Sequence, residues 1–260
     1  MVLSYIDLLS PQPLMLPGIG GVACPTLRQI QQVGYNTYQL YLSLILMTPQ
    51  TYFSMEKNMP SENSVSAKEP FGETTDEEAS IYELITGNSK LCRLAEQALE
   101  FFLTGFIRFS PEYQCFFLYE TEPKKDTHPK PDGIIHKNLW QQLCQIIAQR
   151  NYVEYPASST LQVKSKKAKK RLARLEQLRP KQRKVDGNMD IGNIISAVAG
   201  KSPNLNLINI WDMTIYQLWD TFYRLCSNHI LNIQSMSVAA WGDQNHSFDS
   251  SSWYKNLREH

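Results

Sequence analysis

Few residues of this chain stand at a spacing that could do chemistry. Gly200-Lys201-Ser202 has the ending of a phosphate-binding P-loop, in which backbone amides wrap the phosphates and the lysine reaches the outer ones. That loop needs a glycine five residues ahead of Gly200, where Ile195 stands, and Pro203 would break the helix that must face the anion. Gly18, Gly20 and Gly21 match part of a dinucleotide-binding turn. Pro11, Pro13 and Pro17 argue against the strand that must lead into such a turn, so turn glycines are the better account. Cys226 and His229 can share a helix face, yet a metal needs three or four ligands and no second pair stands at ligand spacing. Asp212 and Asp220 could be imagined as an acid and base pair, but capping and solvation explain them more simply. No Ser or Cys sits in a nucleophile signature such as Gly-x-Ser-x-Gly, and His128, His136, His246 and His260 fall in polar, loop-like contexts. The chain is therefore read as non-enzymatic, without cofactor or metal.

What the chain concentrates instead is aromatic surface. Between Asn209 and Leu225, Asp212 stands where a helix N-cap would, and Ile215, Leu218, Trp219, Phe222 and Cys226 recur at three-and-four spacing. Trp211, Tyr216 and Tyr223 fall off that stripe. Burial in an ordinary helical core is the plain account of any one ring. Large rings flanking an already apolar stripe nonetheless leave surface to cover, and such rings supply much of the energy at protein interfaces. The candidate partner-binding residues are Trp211, Tyr216, Trp219, Phe222 and Tyr223, together with Trp241 and Trp253.

A second feature is basic. Of the 26 Lys and Arg, eleven lie between Lys164 and Lys184, against the single acid Glu176, so the rest of the chain is net acidic although the whole is near neutral. Lys166, Lys167, Lys169, Lys170, Arg171 and Arg174 are its densest part. Such a segment would neutralise several phosphates, but no aromatic is interleaved for stacking bases, so it would grip only backbone. A solvated or partner-facing connector is the preferred reading over a nucleic-acid site.

The five cysteines are odd in number, widely spaced and without a Cys-x-x-Cys pair, which suits reduced thiols. The first residues lack the basic and apolar regions of a signal peptide. The longest apolar run, Leu40 to Met47, is interrupted by Ser43 and is well below the roughly 20 residues a membrane span requires. The expectation is a soluble intracellular protein.

The elements that must carry these features follow from periodicity. The prolines to Ile19 predict an ordered, non-helical arm. Thr26 can cap a helix through Leu27, Ile30 and Val33, a second runs through Tyr38, Tyr41, Leu42, Ile45 and Leu46 to Pro49, and a break falls near Gly34. Glu56 to Ser80 is too polar to repay ordering and reads as an insertion. Helix resumes over Glu78–Leu103 with an interruption at Gly87, and Phe106–Phe109 with Cys115–Leu118 form a β-hairpin about Ser110-Pro111-Glu112. Glu120–Gly133 reads as a loop, after which Asn138 can cap a helix through Leu139, Leu143, Ile146 and Ile147. Ile191, Ile194, Ile195 and Val198 give another short helix, and after the aromatic helix a last one runs from about Ile233 through Trp241. The fold class is mainly α with a minor β-hairpin: an N-terminal domain over 1–156, a basic connector over 157–189 and a C-terminal helical domain over 190–260.

Several of these pieces, in this order, resemble the tail assembly chaperones of phages of Gram-positive bacteria, encoded just before the tape measure protein. The resemblance lies in Gly20–Ile30 with its Pro-Thr-Leu-Arg-Gln-Ile, in Gly133–Trp140, in the Lys-rich connector, in Asn206–Leu218, and in Trp241-Gly242 and Phe248–Tyr254. It implies a non-enzymatic protein of the host cytoplasm, similar in role to the lambda tail chaperones, which coats the long helical tape measure protein and brings tail tube protein to it. Self-association is left open, no membrane is implied, and no catalytic residue is transferred. The alternatives are a structural virion protein of tail or baseplate, and a nucleic-acid-binding protein acting through the basic segment.

Overall fold

The computed structural model describes residues 1–58, 80–123, 130–156, 189–243 and 248–256. Among them the chain is mainly α-helical with two small antiparallel sheets. It divides into two compact units: Met1–Pro156 with Thr214–Tyr216, and Ala157–Met213 with Gln217–His260.

In the first unit, the arm holds a short helix α1 (Tyr5–Leu9) capped by Ser4, contrary to the expectation of a helix-free arm. All three prolines lie beyond Leu9, so none removes a hydrogen bond from it. β1 (Leu14–Leu16) and β2 (Gly20–Val22) then form a hairpin, Leu16 pairing with Gly20. Gly18 and Gly20 adopt φ of 74° and 113°, values that favour glycine, so they are turn glycines. α2 (Leu27–Val33) starts with a full capping box between Thr26 and Gln29, and Gly34 separates it from α3 (Tyr35–Ile45). α4 (Pro49–Asn58) follows. Pro49 opens that helix rather than ending the one before it, as a proline at the first helical position does. Most of the polar insertion, 59–79, lies outside the described residues.

α5 (Ile81–Gly87) and α6 (Ser89–Phe102) break at Gly87-Asn88, Asn88 capping α6. α6 is the centre of the unit: it buries Ala95, Ala98, Leu99 and Phe102 and packs against α3, α5 and the sheet. That sheet is β3 (Phe106–Ser110), β4 (Cys115–Tyr119) and β5 (Gly133–Ile135), all antiparallel. Gly133, the last residue of the expected loop, opens β5. Its three residues become a strand only by pairing with Phe116–Leu118. The outer edge of β3 is closed by α6, whose Glu100 and Glu96 carboxylates accept from the Ile107 and Phe109 amides at 3.1 and 2.7 Å. This caps donors that would otherwise invite another strand.

α7 (Lys137–Arg150) starts one turn-end earlier than expected: His136, not Asn138, is its cap, Nδ1 accepting from the Asn138 amide at 3.3 Å. Its Trp140 stacks on Phe116, with Tyr82 edge-on to both. At its C-terminus the buried Arg150 reaches the arm, its guanidinium donating to the carbonyls of Asp7 (2.9 Å), Ser10 (3.2 Å) and Gln12 (2.8 Å).

The second unit holds α8 (Ile191–Lys201), capped by Asp190 and burying Ile194 and Val198, a 3-10 turn at Ile210–Asp212, and a 3-10 turn at Ser252–Tyr254. α9 (Ile215–Trp241) is 27 residues long. Its first two residues pack in the first unit and the rest belongs to the second. Two expectations change here. Asp212 lies in the 3-10 turn, two residues ahead of the N-cap position of a helix that begins at Ile215, and the two anticipated helices are one unbroken helix.

Candidate docking surface

The start of α9 is fixed from outside it. Thr214 bridges to Thr26, the Ile215 amide donates to the Pro25 carbonyl at 2.9 Å, and the Tyr216 ring lies 5.1 Å from that of Tyr152. Tyr216 is fully buried and is a core residue of the first unit, so it drops out of the candidate partner-binding set. Tyr216 stands three residues before Trp219 on the same side of the helix, and in that first turn this side is covered by the core rather than open to solvent.

One turn further on, Trp219, Phe222 and Tyr223 come together. Trp219 stacks on Tyr223 with centroids 6.0 Å apart, and Phe222 meets both edge-on at 6.2 and 5.4 Å. Trp219 and Phe222 are half-buried and Tyr223 is exposed. Trp211 is half-buried, its indole Nε1 donating to the Leu207 carbonyl at 2.9 Å. That carbonyl sits in a loop braced by two asparagines: Asn206 Oδ1 accepts from the Ile208 and Asn209 amides, and Asn209 Oδ1 from the Asn206 amide. The loop presents Leu207 and Ile208 to solvent. Trp253 is exposed and edge-on to Tyr254, and its carbonyl accepts from Arg224 Nη1 at 3.1 Å. The Lys255 carbonyl accepts from the same nitrogen at 2.8 Å, so Arg224 ties the tail to α9. The basic residues Lys166, Lys167, Lys169, Lys170, Arg171 and Arg174 lie outside the described residues.

Beyond Asp220 no residue of α9 is buried. The exposed fractions are 37% for Tyr223, 56% for Ile230, 51% for Ile233, 65% for Met236 and 80% for Trp241. Tyr223, Cys226, Ile230, Ile233, Ser237 and Ala240 follow one another at alternating steps of three and four, which puts them on one face. Trp241 extends that face and Met236 flanks it. From Tyr223 to Trp241 the stripe runs about 27 Å at the helical rise. Among Asp, Glu, Lys and Arg, only Arg224 occurs between Thr221 and Trp241, and it is turned to the tail. A solvated helix normally carries charges on its exposed face, and this one carries none.

Ile230, Ile233 and Met236 were not among the residues singled out from the sequence. The alternating spacing of Ile230 and Ile233 with Tyr223 and Cys226 is the available signal, hidden by the assumption that the helix breaks between Cys226 and Ile233. Among the described residues no group of three or more His, Cys, Asp or Glu is placed to hold a metal ion, and no helix is long and apolar enough to cross a membrane. Cys24, Cys92, Cys115 and Cys144 are buried, whereas Cys226 is exposed. Burial pushes the Cys92 thiol up to about 11, with the Glu96 carboxylate adding to the shift, and burial raises Cys144 further.

Residues 180–258 match the family model of the YomV second domain. That family is phage-derived, of the Bacillus phage SPbeta type, and the match is consistent with a protein of a Gram-positive phage. It covers under a third of the chain and takes in α8, the braced loop, α9 and the tail, which is the whole of the exposed stripe. No curated protein and no solved structure matches the chain.

Proposed function

We propose that the protein is a non-enzymatic assembly factor that captures a helical client along α9, in the manner of a phage tail assembly chaperone holding a tape measure protein for its tube subunits. The observation that carries this reading is the exposed, uncharged stripe from Tyr223 to Trp241. A tape measure protein is a very long chain with apolar helical surface, and a helix face of this kind can cover it reversibly until the tube encloses it. The match of 180–258 to a phage-derived domain supports the setting. Ile230 and Ile233 at the middle of the stripe, with Trp219 and Tyr223 at one end and Trp241 at the other, are the residues assigned to the contact. Tail tube protein is the second partner in this reading, and the host cytoplasm is its site.

The test is co-expression of the full chain with the tape measure protein of the same phage, followed by pull-down. The intact chain should retain the client, and Ile230→Asp/Ile233→Asp should lose at least tenfold of it. Both residues are exposed, so the buried core of neither unit is touched by this variant. Equal retention by the two proteins, or none by either, refutes the reading. Recovery of the protein as a fixed component of purified virions would place it among structural tail proteins instead.

A further inference from the structure

The exposed stripe of α9 also specifies what can cover it when no client is present. Its residues repeat every 3.5 positions rather than every 3.6, which is the pattern that holds two helices together in a left-handed supercoil. In such pairs, charges beside the seam choose the partner. Here the flanking Ser227, His229, Gln234 and Met236 include no Asp, Glu, Lys or Arg, so two copies of this helix meet without like-charge repulsion. A lipid surface fits less well, because a membrane-lying helix relies on Lys and Arg along its polar face.

We infer that α9 pairs with α9 of a second copy of this chain, antiparallel, about a two-fold axis between Leu231 and Asn232. In that register Tyr223 faces Ala240 of the second copy, Cys226 faces Ser237, and Ile230 faces Ile233. The large Tyr223 meets the small Ala240, Cys226 and Ser237 pair as two small side chains, and the branched pair fills the centre, so no two large rings collide along the seam. A parallel pair would instead crowd Tyr223 on Tyr223 at one end and leave Ser237 and Ala240 hollow at the other. Antiparallel pairing also opposes the helix dipoles favourably. The exposed parts of Tyr223, Cys226, Ile230, Ile233, Met236 and Trp241 amount to roughly 500 Å² per copy. Two copies then bury on the order of 1,000 Å², the scale a specific interface requires. The pairing is self-complementary, as a two-fold dimer demands. If the client reading above holds, the second copy is what a client helix displaces; that consequence rests on the reading, whereas the dimer does not.

The test uses the full chain alone, without client. Sedimentation or light scattering across about 1 to 100 µM should show a concentration-dependent doubling of mass, and Ile230→Asp/Ile233→Asp should be monomeric throughout. Mild oxidation of Ser237→Cys should link two copies through Cys226 and the new thiol. Those two positions lie about 16 Å apart along one helix, too far to bond within a chain. A monomer at every concentration, or a dimer that survives the double substitution, overturns the inference. Oxidative linkage of the unaltered chain through Cys226 would mean parallel pairing and would overturn the register. Because no client is present, failure here leaves the pull-down free to succeed, and the reverse.

Discussion

Removing the guanidinium of Arg150 should loosen the N-terminal arm and cost the first unit about 3 kcal/mol. The head group donates to three backbone carbonyls, of Asp7, Ser10 and Gln12, and is buried while doing so. A bond from a charged donor is worth roughly 1.5–3 kcal/mol net, and burying this charge with its Nε unpartnered offsets part of that, leaving about 1–1.5 kcal/mol per bond. Three such bonds give about 3–4 kcal/mol, of which a little returns when the freed carbonyls find water. Arg150→Met keeps the apolar stem and so isolates the head group. With a urea dependence of about 2 kcal/mol per molar for a unit of this size, the midpoint should fall by about 1.5 M. Amide exchange reports the local event: the Leu8 and Ser10 amides, bonded to the Ser4 and Ile6 carbonyls, should lose protection in the variant even without denaturant. Arg150→Lys should recover only about a third of the loss, since a compact ammonium cannot fork to three carbonyls. A midpoint shift below about 0.3 M, with the arm amides as protected as before, would refute the clamp.

Four other outcomes follow from the structure. Gly133→Ala should cost about 3 kcal/mol in thermal unfolding, because its Cβ would stand 2.3 Å from the Ile19 carbonyl oxygen; Gly87→Ala, with nothing within 4 Å, should instead stabilise by about 0.5 kcal/mol. Glu96→Ala should cost about 1–2 kcal/mol by leaving the Phe109 amide without its acceptor, whereas Glu96→Gln should keep most of that bond; equal losses in the two would contradict the edge-capping role. A thiol reagent at neutral pH should label Cys226 quickly and the other four cysteines only on unfolding. The Cys92 thiol, raised by burial to about 11 from an ordinary 9.0, favours the fold while protonated, so stability should be full below pH 9 and decline as pH climbs toward 11.

Sequence periodicity carried much of the helical framework because its signals were local. The capping box at Thr26 and Gln29, the break at Gly34, the interruption at Gly87 and the apolar face Ile191, Ile194, Ile195 and Val198 each depend on neighbours within one or two turns. The β3–β4 hairpin was visible for the same reason. What escaped depended on distant partners. β5 is three residues that become a strand only against β4, and Tyr216 is buried only because Thr214 and Ile215 are held by Thr26 and Pro25. Pro49 was read as a stop although a proline is equally a good first residue. The edge capping of β3 by Glu96 and Glu100 had no signature at all, since it joins two elements through side chain to backbone bonds. Of the candidate aromatics, Trp219, Phe222 and Tyr223 come together on one face, Trp241 and Trp253 are exposed, and only Tyr216 is withdrawn into a core.

The continuity of α9 changes what its residues can do. Had the chain broken between Cys226 and Ile233, Tyr223 and Trp241 would sit on two helices with unrelated faces. One unbroken helix instead places Tyr223, Cys226, Ile230 and Ile233 on one line. A helix in a protein draws most of its stability from packing its apolar face rather than from intrinsic propensity. From Leu225 onward α9 lacks the oppositely charged pairs that stabilise solvated helices. The Arg224 bonds to the Trp253 and Lys255 carbonyls brace one side at its middle, and Leu225, Leu231 and Val238 are only half-buried. Among the described residues, the last four turns are therefore held by their own chain only along this half-buried side. Their remaining source is apolar area on the stripe, which is released only when another helix covers it. Binding and the order of α9 are then one process: a charge placed at Ile230 should both abolish pairing and lower the helicity of the free chain, while the same charge at Asn232, on the opposite side, should do neither.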